Sequence, residues 1–219
     1  DPEPSSGISW TRYCQIARCD PDTDYMASIV ISAENINYLR YASKDTANNL
    51  QPTQELIIKL DKSAPVTSDN APADWQPEDV SILLTPLDIY SGVALTKYCA
   101  DSENACIPNT QGISLSVTCP ADTVCNKYVR YYSIDHVQNK EEIKNTTLIK
   151  IDKEKPLTEL TIGTPKYITD KNYVTSHTEI ALHGDDGTGS GIAKTEYNIN
   201  DNINGNWIEY TAPFTLVNE

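Results

Sequence analysis

Residues 58–65 read IKLDKSAP, and residues 149–156 read IKIDKEKP. The same pattern thus returns 91 positions later in a chain of 219 residues. Further similarity surrounds it. Residues 38–49 (YLRYASKDTANN) match residues 128–139 (YVRYYSIDHVQN), and GISWTRYC, GVALTKYC and GIAKTEYN each begin at the Gly of a Ser-Gly step. Self-similarity at a fixed period indicates a repeat architecture, here tandem units of about 90 residues.

Each unit contains short stretches in which apolar and polar residues alternate. This period of two predicts antiparallel sheets with one buried and one wet face, and no stretch has convincing helical periodicity. About seven such strands per unit are typical of an immunoglobulin-like sandwich. The residues expected on inward faces are Val80, Ile82 and Leu84; Ile113, Leu115 and Val117; Val129, Tyr131 and Ser133; and Ile149 and Ile151.

The repeats divide the chain into a first unit (1–64), a second unit (65–156) and a third unit (157–219). Only the second unit contains every segment of the pattern. The first unit lacks the equivalents of the first strands, and the third lacks the equivalents of the last strands. A sandwich without these strands exposes its core and edges. Two explanations stay open: the sequence is a window on a longer chain, or another subunit supplies the strands by β-augmentation.

The order of these motifs, from the Pro after the linker through the Ser-Gly step to the closing IKIDK, resembles the tandem immunoglobulin-like repeats of large bacterial and archaeal cell-surface proteins. The resemblance covers essentially the whole chain. It implies all-β beads on a string in secreted stalks, adhesins or fibres, without one shared ligand. Two departures stand out: the turns DTANN and DHVQN lack the usual Gly, and Asn198 replaces the Cys of the other units.

The six cysteines fall into three local pairs. Cys14 and Cys19 lie at the place that Cys99 and Cys106 occupy in the second unit, and Cys119 and Cys125 flank a turn-like segment. The repeat favours these three pairs as disulfides, which indicates an oxidising, extracellular compartment. Zinc ligation is the alternative, but the spacings are unlike the short Cys pairs of zinc sites and His residues are not nearby.

The net charge of −14 disfavours a nucleic-acid partner. No apolar run approaches the roughly 18 residues of a membrane helix, so we expect no membrane insertion in this segment. The expected partners are neighbouring repeats of the same chain and, in a filament, identical subunits, with strand donation as one form of contact.

Two stretches resemble catalytic motifs. GTGSGIAKT (187–195) is near a phosphate-binding loop, but Lys194 does not follow a Gly and no helix pattern comes after it. SIDH (133–136) contains Ser, Asp and His close together, which is not the convergent geometry of a triad. Its Asp is expected to cap a turn. The sequence therefore predicts no catalytic residues and no enzyme.

Calcium is the cofactor candidate, and otherwise no cofactor is expected. Asp185 and Asp186 precede a Gly-rich turn, Asp88 lies at the same place in the second unit, and Glu3 in the first. Asp61 and Asp152 lie at the linkers. Ca²⁺ prefers clustered carboxylate and carbonyl oxygens, whereas the alternative is that these are ordinary turn-forming residues. Asn145 begins the sequon Asn-Thr-Thr, a candidate glycosylation site.

The sequence thus predicts a non-catalytic structural segment of an extracellular multi-repeat surface protein, a stalk or a building block of a fibre or filament. The alternative is an adhesin module that binds glycan or protein at strand-end loops.

Overall fold

A computed structural model describes residues 6–199 and 207–216. Within these residues the chain forms nineteen strands and no helix. All pairs of named strands are antiparallel, as in β7 with β10 and β13 with β16. The predicted all-β class with antiparallel sheets is therefore confirmed. No helix in the described part of the chain is long and apolar enough to cross a membrane.

The described residues of the first unit form one four-stranded sheet in the order β2-β1-β3-β4. Its strands are β1 (Ile8–Cys14), β2 (Thr23–Asp24), β3 (Asn35–Asp45) and β4 (Gln54–Leu60). The β3 and β4 segments contain the residues that recur in the second unit, so the sequence repeat falls on the strands themselves.

The second unit has two layers. One sheet has the order β5-β6-β9, and the other has the order β11-β10-β7-β8 with β12 also paired to β10. The strands are β5 (Val66–Asp69), β6 (Val80–Leu87), β7 (Val93–Asp101), β8 (Thr110–Gln111), β9 (Ser114–Val117), β10 (Val124–Asp135), β11 (Lys144–Asn145) and β12 (Ile149–Asp152). The predicted sandwich arrangement of this segment is thus present as two packed layers.

The described residues of the third unit form three small sheets, in the orders β13-β16-β19, β14-β15 and β17-β18. The strands are β13 (Leu157–Ile162), β14 (Lys166–Ile168), β15 (Asn172–Val174), β16 (Glu179–Asp185), β17 (Glu196–Tyr197), β18 (Ile208–Glu209) and β19 (Phe214–Thr215). The β13–β16 pair repeats the β5–β6 pair, because Leu157 faces Asp185 as Val66 faces Leu87.

The core lies between the two layers of the second unit. It contains the expected inward residues Val80, Ile82, Leu84, Val117, Val129, Tyr131, Ile149 and Ile151. Ser133 is also fully buried. Ile113 is the exception, because it lies just before β9 and is 50% exposed. The alternation of buried side chains does not extend to this residue, which contributes its carbonyl to the Leu84 N–H instead of its side chain to the core.

A buried polar network joins the two layers beside this core. The Glu141 carboxylate accepts hydrogen bonds from the Thr67 N–H (2.7 Å) and the Thr67 hydroxyl (2.7 Å). The Ser133 hydroxyl lies 2.7 Å from the Thr67 hydroxyl and 2.8 Å from that of Thr96. Lys144 neutralises Glu141 at 2.5 Å. Each of these buried side chains therefore has a partner, which is the condition for such a network to stabilise a fold.

The assignment of the core predicts that a Leu→Ala substitution lowers stability more at a buried position than at an exposed one. Leu84→Ala should lower the free energy of unfolding by about 2–5 kcal/mol, because a fully buried leucine leaves a cavity. Leu56→Ala is the matched control, since Leu56 is 50% exposed, and should change stability by no more than about 0.5 kcal/mol. Scanning calorimetry of both variants measures the difference, and equal losses would place the core elsewhere.

Candidate functional site

The linker after the first unit is tied to the second unit by Asp61. The Asp61 carboxylate accepts a hydrogen bond from the Ser91 N–H at 3.0 Å, and its backbone carbonyl accepts one from the Asn139 side chain at 3.3 Å. A second carboxylate bond from the Ser63 N–H, at 3.0 Å, turns the linker itself. One residue therefore connects the linker to two separate loops of the next unit.

The same contact recurs after the second unit. The Asp152 carboxylate accepts a hydrogen bond from the Ser190 N–H at 2.6 Å and one from the Glu154 N–H at 3.0 Å. Asp152 follows Ile151 as Asp61 follows Leu60, and Ser190 starts the same Ser-Gly step as Ser91. The two linkers thus bind the units that follow them in the same way.

An aspartate within each of these following units shapes the Ser-Gly turn. Asp88 accepts a hydrogen bond from the Gly92 N–H, and Asp186 accepts one from the Gly191 N–H, both at 2.6 Å. Both glycines have positive φ, +79° and +94°, which L side chains adopt only with strain. The turn needs Gly at this step, and the aspartate fixes it so that the preceding Ser N–H points to the linker.

Hydrogen bonding favours the charged form of both linker aspartates. Hydrogen bonding from Ser91, together with the backbone N–H of Ser63, lowers the pKa of Asp61 against the opposing effect of burial. The backbone N–H of Ser190 is the main cause that lowers the pKa of Asp152. Each junction therefore depends on an ionised carboxylate, which backbone N–H groups solvate in place of water.

The structure regroups the predicted calcium candidates. Carboxylate oxygens of Asp61, Asp88 and Asp135 lie within 4.8 Å of one another. At the next junction a methyl group added at Gly189 would collide with the carboxylates of both Asp152 and Asp186. Asp185 belongs to neither group, and its carboxylate accepts the N–H of Gly187 at 2.9 Å. Glu3 lies outside the described residues.

Asp135 is the member of this cluster that sequence reasoning did not assign to it. It is fully buried, and it accepts the N–H groups of Val137 (2.9 Å) and Asn139 (2.8 Å), so it caps the turn as expected. Asn139 also donates its side-chain amide to Asp135 at 2.7 Å. The signal in the sequence is that Asp45 and Asn49 stand at the equivalent positions of the first unit. They make the same bonds there.

The three local cysteine pairs are bridged: Cys14–Cys19, Cys99–Cys106 and Cys119–Cys125. The first two close equivalent loops, and an equivalent arginine holds each loop from the neighbouring strand. Arg40 donates to the Cys19 carbonyl, and Arg130 donates to the Cys106 carbonyl at 2.7 Å. Three disulfides are typical of extracellular proteins.

The remaining candidate residues lie on the surface. Asn145 is exposed in β11, and its side-chain amide donates to the Thr146 carbonyl at 2.9 Å. Lys194 forms an ion pair with Glu196 at 2.9 Å and is followed by a strand, so residues 187–195 do not have the helix start of a phosphate-binding loop.

Comparison with known proteins adds little. No protein-family model matches the chain, and no curated protein matches it. Among solved structures, one of fibronectin(III)-like modules of Clostridium thermocellum CbhA is similar, with 13% identity and a TM-score of 0.31. The match covers 70% of this chain and 82% of that chain. A likeness this low carries no argument, so the function has to be inferred from the residues of this chain.

The lowered pKa values predict that acid loosens the junctions. A carboxyl whose pKa is lowered on folding contributes stability above its ordinary pKa of about 3.9, and this contribution is lost as the pH falls through the folded-state pKa. The backbone amide signals of Ser91 and Ser190 in nuclear magnetic resonance spectra should therefore titrate with midpoints below that ordinary value.

Asp61→Asn is the matched test of this assignment. It should abolish the titration of the Ser91 amide and leave that of Ser190, because each amide bonds its own linker carboxylate. A Ser91 signal that still titrates in Asp61→Asn would show that Asp61 is not its acceptor.

Proposed function

We propose that this chain is a non-catalytic structural segment of an extracellular multi-repeat protein, built from tandem immunoglobulin-like sandwiches that form a stalk or a fibre. The observation that carries the proposal is the recurrence of one linker contact at two successive places, Asp61 with Ser91 and Asp152 with Ser190. A protein that serves as a spacer needs each unit to hold the next at a fixed angle, and a repeated contact of this kind supplies that.

The chemistry of the linkers supports a semi-rigid rod. Each linker has only a few residues between the last strand and the next Pro, in the forms DKSAP and DKEKP. Pro restricts the residue before it as well as itself. The carboxylate bond then fixes the linker at its first residue, so little conformational freedom remains between units.

The disulfides support an extracellular location, because such bonds persist in oxidising compartments. They close short loops beside strands in the first two units. The net charge of −14 suits a surface that stays soluble at high density.

An adhesive role is the second candidate, and a cavity at the first junction favours it. The cavity measures about 440 Å³ and is lined by Asn35, Ile36, Lys59, Leu60, Asp61, Ile89, Tyr90, Ser91 and Val137. It combines exposed apolar side chains, such as Ile89 and Tyr90, with the charged Lys59. A glycan or peptide with both apolar and polar groups is the ligand class that this lining suits.

Calcium stays a prediction. The cluster of Asp61, Asp88 and Asp135 offers carboxylate oxygens of the type that Ca²⁺ prefers. Backbone N–H groups of Ser91, Gly92 and Asn139 already donate to these carboxylates. A cation therefore fits only at carboxylate lone pairs that these N–H groups do not use. Calorimetric titration of the full chain with CaCl₂ tests this, with Asp88→Asn as the variant that should lose the heat of binding.

Small-angle X-ray scattering tests the structural role. The full chain should scatter as an extended particle with limited flexibility, and Asp61→Asn should increase that flexibility because the linker loses its ionic acceptor. Asp74→Asn is the control, since it removes the same charge from an exposed position. Equal behaviour of the two variants would remove the support for a stiffened rod.

Electron microscopy of the native surface material decides between the two candidate roles. Ordered filaments or uniform stalks that contain this chain support the structural role.

A glycan array tests the adhesive role. Binding of the isolated chain to the array, lost on Tyr90→Ala, would instead support adhesion.

A further inference from the structure

The first unit contains a groove that has a filled counterpart in the second unit. A shallow depression of about 430 Å³, largely open to solvent, is lined by Ile8, Ser43, Asp45, Asn49, Leu50 and Gln51. The equivalent residues of the second unit include Ser133, Asp135, Asn139 and Glu141. In that unit a segment of the same chain occupies the equivalent groove. Residues 61–67 lie on them, from the Asp61 carbonyl on Asn139 to Thr67 on Ser133 and Glu141.

The polar groups of the groove are arranged as in the filled counterpart. The Thr11 and Ser43 hydroxyls are 2.9 Å apart, as those of Thr96 and Ser133 are 2.8 Å apart. Gln51 accepts the Ser43 N–H with its side-chain oxygen, as Glu141 accepts that of Ser133. The groove thus has the hydroxyl pair and one of the two acceptor oxygens that bind Thr67 in the second unit. The other Glu141 oxygen, which accepts the Thr67 N–H, corresponds to the amide nitrogen of Gln51.

The apolar neighbours of the groove are correspondingly uncovered. Tyr41 is 39% exposed, whereas its counterpart Tyr131 is 3% exposed and buried beneath the second sheet. Leu39 is partly exposed, whereas its counterpart Val129 is fully buried. Removing such apolar surface from water is favourable, so the groove is a surface that gains from an occupant.

The segment that suits this groove is present elsewhere in the same chain. Residues 61–67 read DKSAPVT, and residues 152–158 read DKEKPLT. In the first of these segments Pro65 is fully buried and Thr67 is 3% exposed. In the second segment the equivalent Pro156 and Thr158 are both exposed. The described residues thus include an exposed groove in the first unit and an exposed copy of the segment that fills its counterpart in the second unit.

The groove and the segment cannot be expected to meet within one copy. Asp152 is held at the second junction by Ser190, and its backbone N–H donates to the Gln76 carbonyl at 2.9 Å. The groove belongs to the first unit, with the whole second unit between them in the sequence.

We propose that the groove of the first unit binds residues 152–162 of a second copy of this chain. Thr158 of the second copy takes the place of Thr67, with its hydroxyl against that of Ser43. The same hydroxyl donates to the Gln51 side-chain oxygen, which corresponds to the Glu141 oxygen that accepts both the Thr67 hydroxyl and the Ser133 N–H. The contact includes only the linker and β13. In the repeat, β1 of the receiving copy and residues 194–198 of the donating copy are equivalent segments, so the two cannot occupy the same place in the complex. The inference rests on the proposed role as a fibre segment and names the contact that extends the fibre.

This contact is heterologous, since the groove and the segment are different surfaces. A copy that has bound through its groove therefore still presents residues 152–162, and the reverse holds as well. Heterologous contacts give rings if the rotation closes and filaments if it does not. The fibre role corresponds to the second case.

Two single-cysteine variants of the full chain, Ser43→Cys and Thr158→Cys, test the contact. All six native cysteines are already paired, so the added thiols are the free ones. The equivalent hydroxyls of Thr67 and Ser133 are 2.7 Å apart, close enough for a disulfide between the two positions. Mixing the two variants, tagged to differ in mass, under mild oxidation should give a mixed dimer with a disulfide between positions 43 and 158, identified by mass spectrometry.

Glu159→Cys is the control, because it is an exposed neighbour on the opposite face of β13. Mixed dimers with Thr158→Cys that are absent with Glu159→Cys support the proposal. Equal yields from the two variants, or no mixed dimer, overturn it. A synthetic peptide of residues 61–69 that binds the chain while no mixed dimer forms also overturns it, because the groove then takes a strand from elsewhere.

Sedimentation velocity gives a second measurement that needs no added cysteine. The chain should form concentration-dependent oligomers, and Thr158→Arg should lose them because a long charged side chain does not fit the buried place that Thr67 fills in the second unit. A monomer at all concentrations overturns the proposed contact. If scattering of the same sample still shows a stiff extended monomer, only the contact fails and the structural role stands.

Discussion

An ionised aspartate at the end of each last strand, accepting a backbone N–H of the following Ser-Gly turn, is the contact on which the relation between units depends. Asp61 and Asp152 occupy equivalent positions and bind Ser91 and Ser190. The charge is necessary because hydrogen bonds with an ionised partner are roughly twice as strong as neutral ones. A linker of the form DKSAP or DKEKP has little apolar surface to bury, so such bonds are the means available to fix it.

The placement of this contact also explains why carboxylates gather in a chain that is already acidic. Asp61, Asp88 and Asp135 approach one another, and like charges repel. Each of the three, however, accepts backbone N–H groups from a turn: Ser91 for Asp61, Gly92 for Asp88 and Asn139 for Asp135. Successive backbone N–H groups in such turns form anion-binding concavities. The acidic cluster is thus the consequence of three turns that meet at one place, each with its own capping aspartate.

Periodicity predicted the strands of the second unit because burial on one face leaves an alternating pattern, and Ile82 and Leu84 obey it on one strand while Ile149 and Ile151 obey it on another. It failed at Ile113, which precedes the strand. The sequence repeat identified the pairs Cys14–Cys19 and Cys99–Cys106 and the linker aspartates, since equivalent residues occur in both units, whereas Cys119–Cys125 was predicted from its short spacing alone. It did not identify Glu141 as a core residue, because the segment NKEEIK has the composition of a solvent-exposed loop. Only the approach of Thr67 from the other layer buries this carboxylate, and that contact spans 74 residues of sequence.

The first unit has Gln51 at the position that Glu141 occupies in the second unit. This difference helps to explain how the groove can be open in the first unit and filled in the second. In the second unit the buried Glu141 carboxylate is paired at 2.5 Å with Lys144, whose side chain is 38% exposed, so the carboxylate also depends on its hydrogen bonds to Thr67. The first unit has Gln51 and Gln54 at these places, so both charges are absent. The Gln51 side chain accepts the Ser43 N–H, and the Gln54 side chain donates to the Pro52 carbonyl. A neutral amide has a much smaller desolvation cost than a carboxylate. An open groove with neutral amides can therefore be exposed to water and then covered by a strand, whereas a groove with Glu and Lys depends on the strand being present from the start. Gln51 and Gln54 lie in the unit whose groove is open, and the ion pair of Glu141 and Lys144 lies in the unit whose own chain fills the groove.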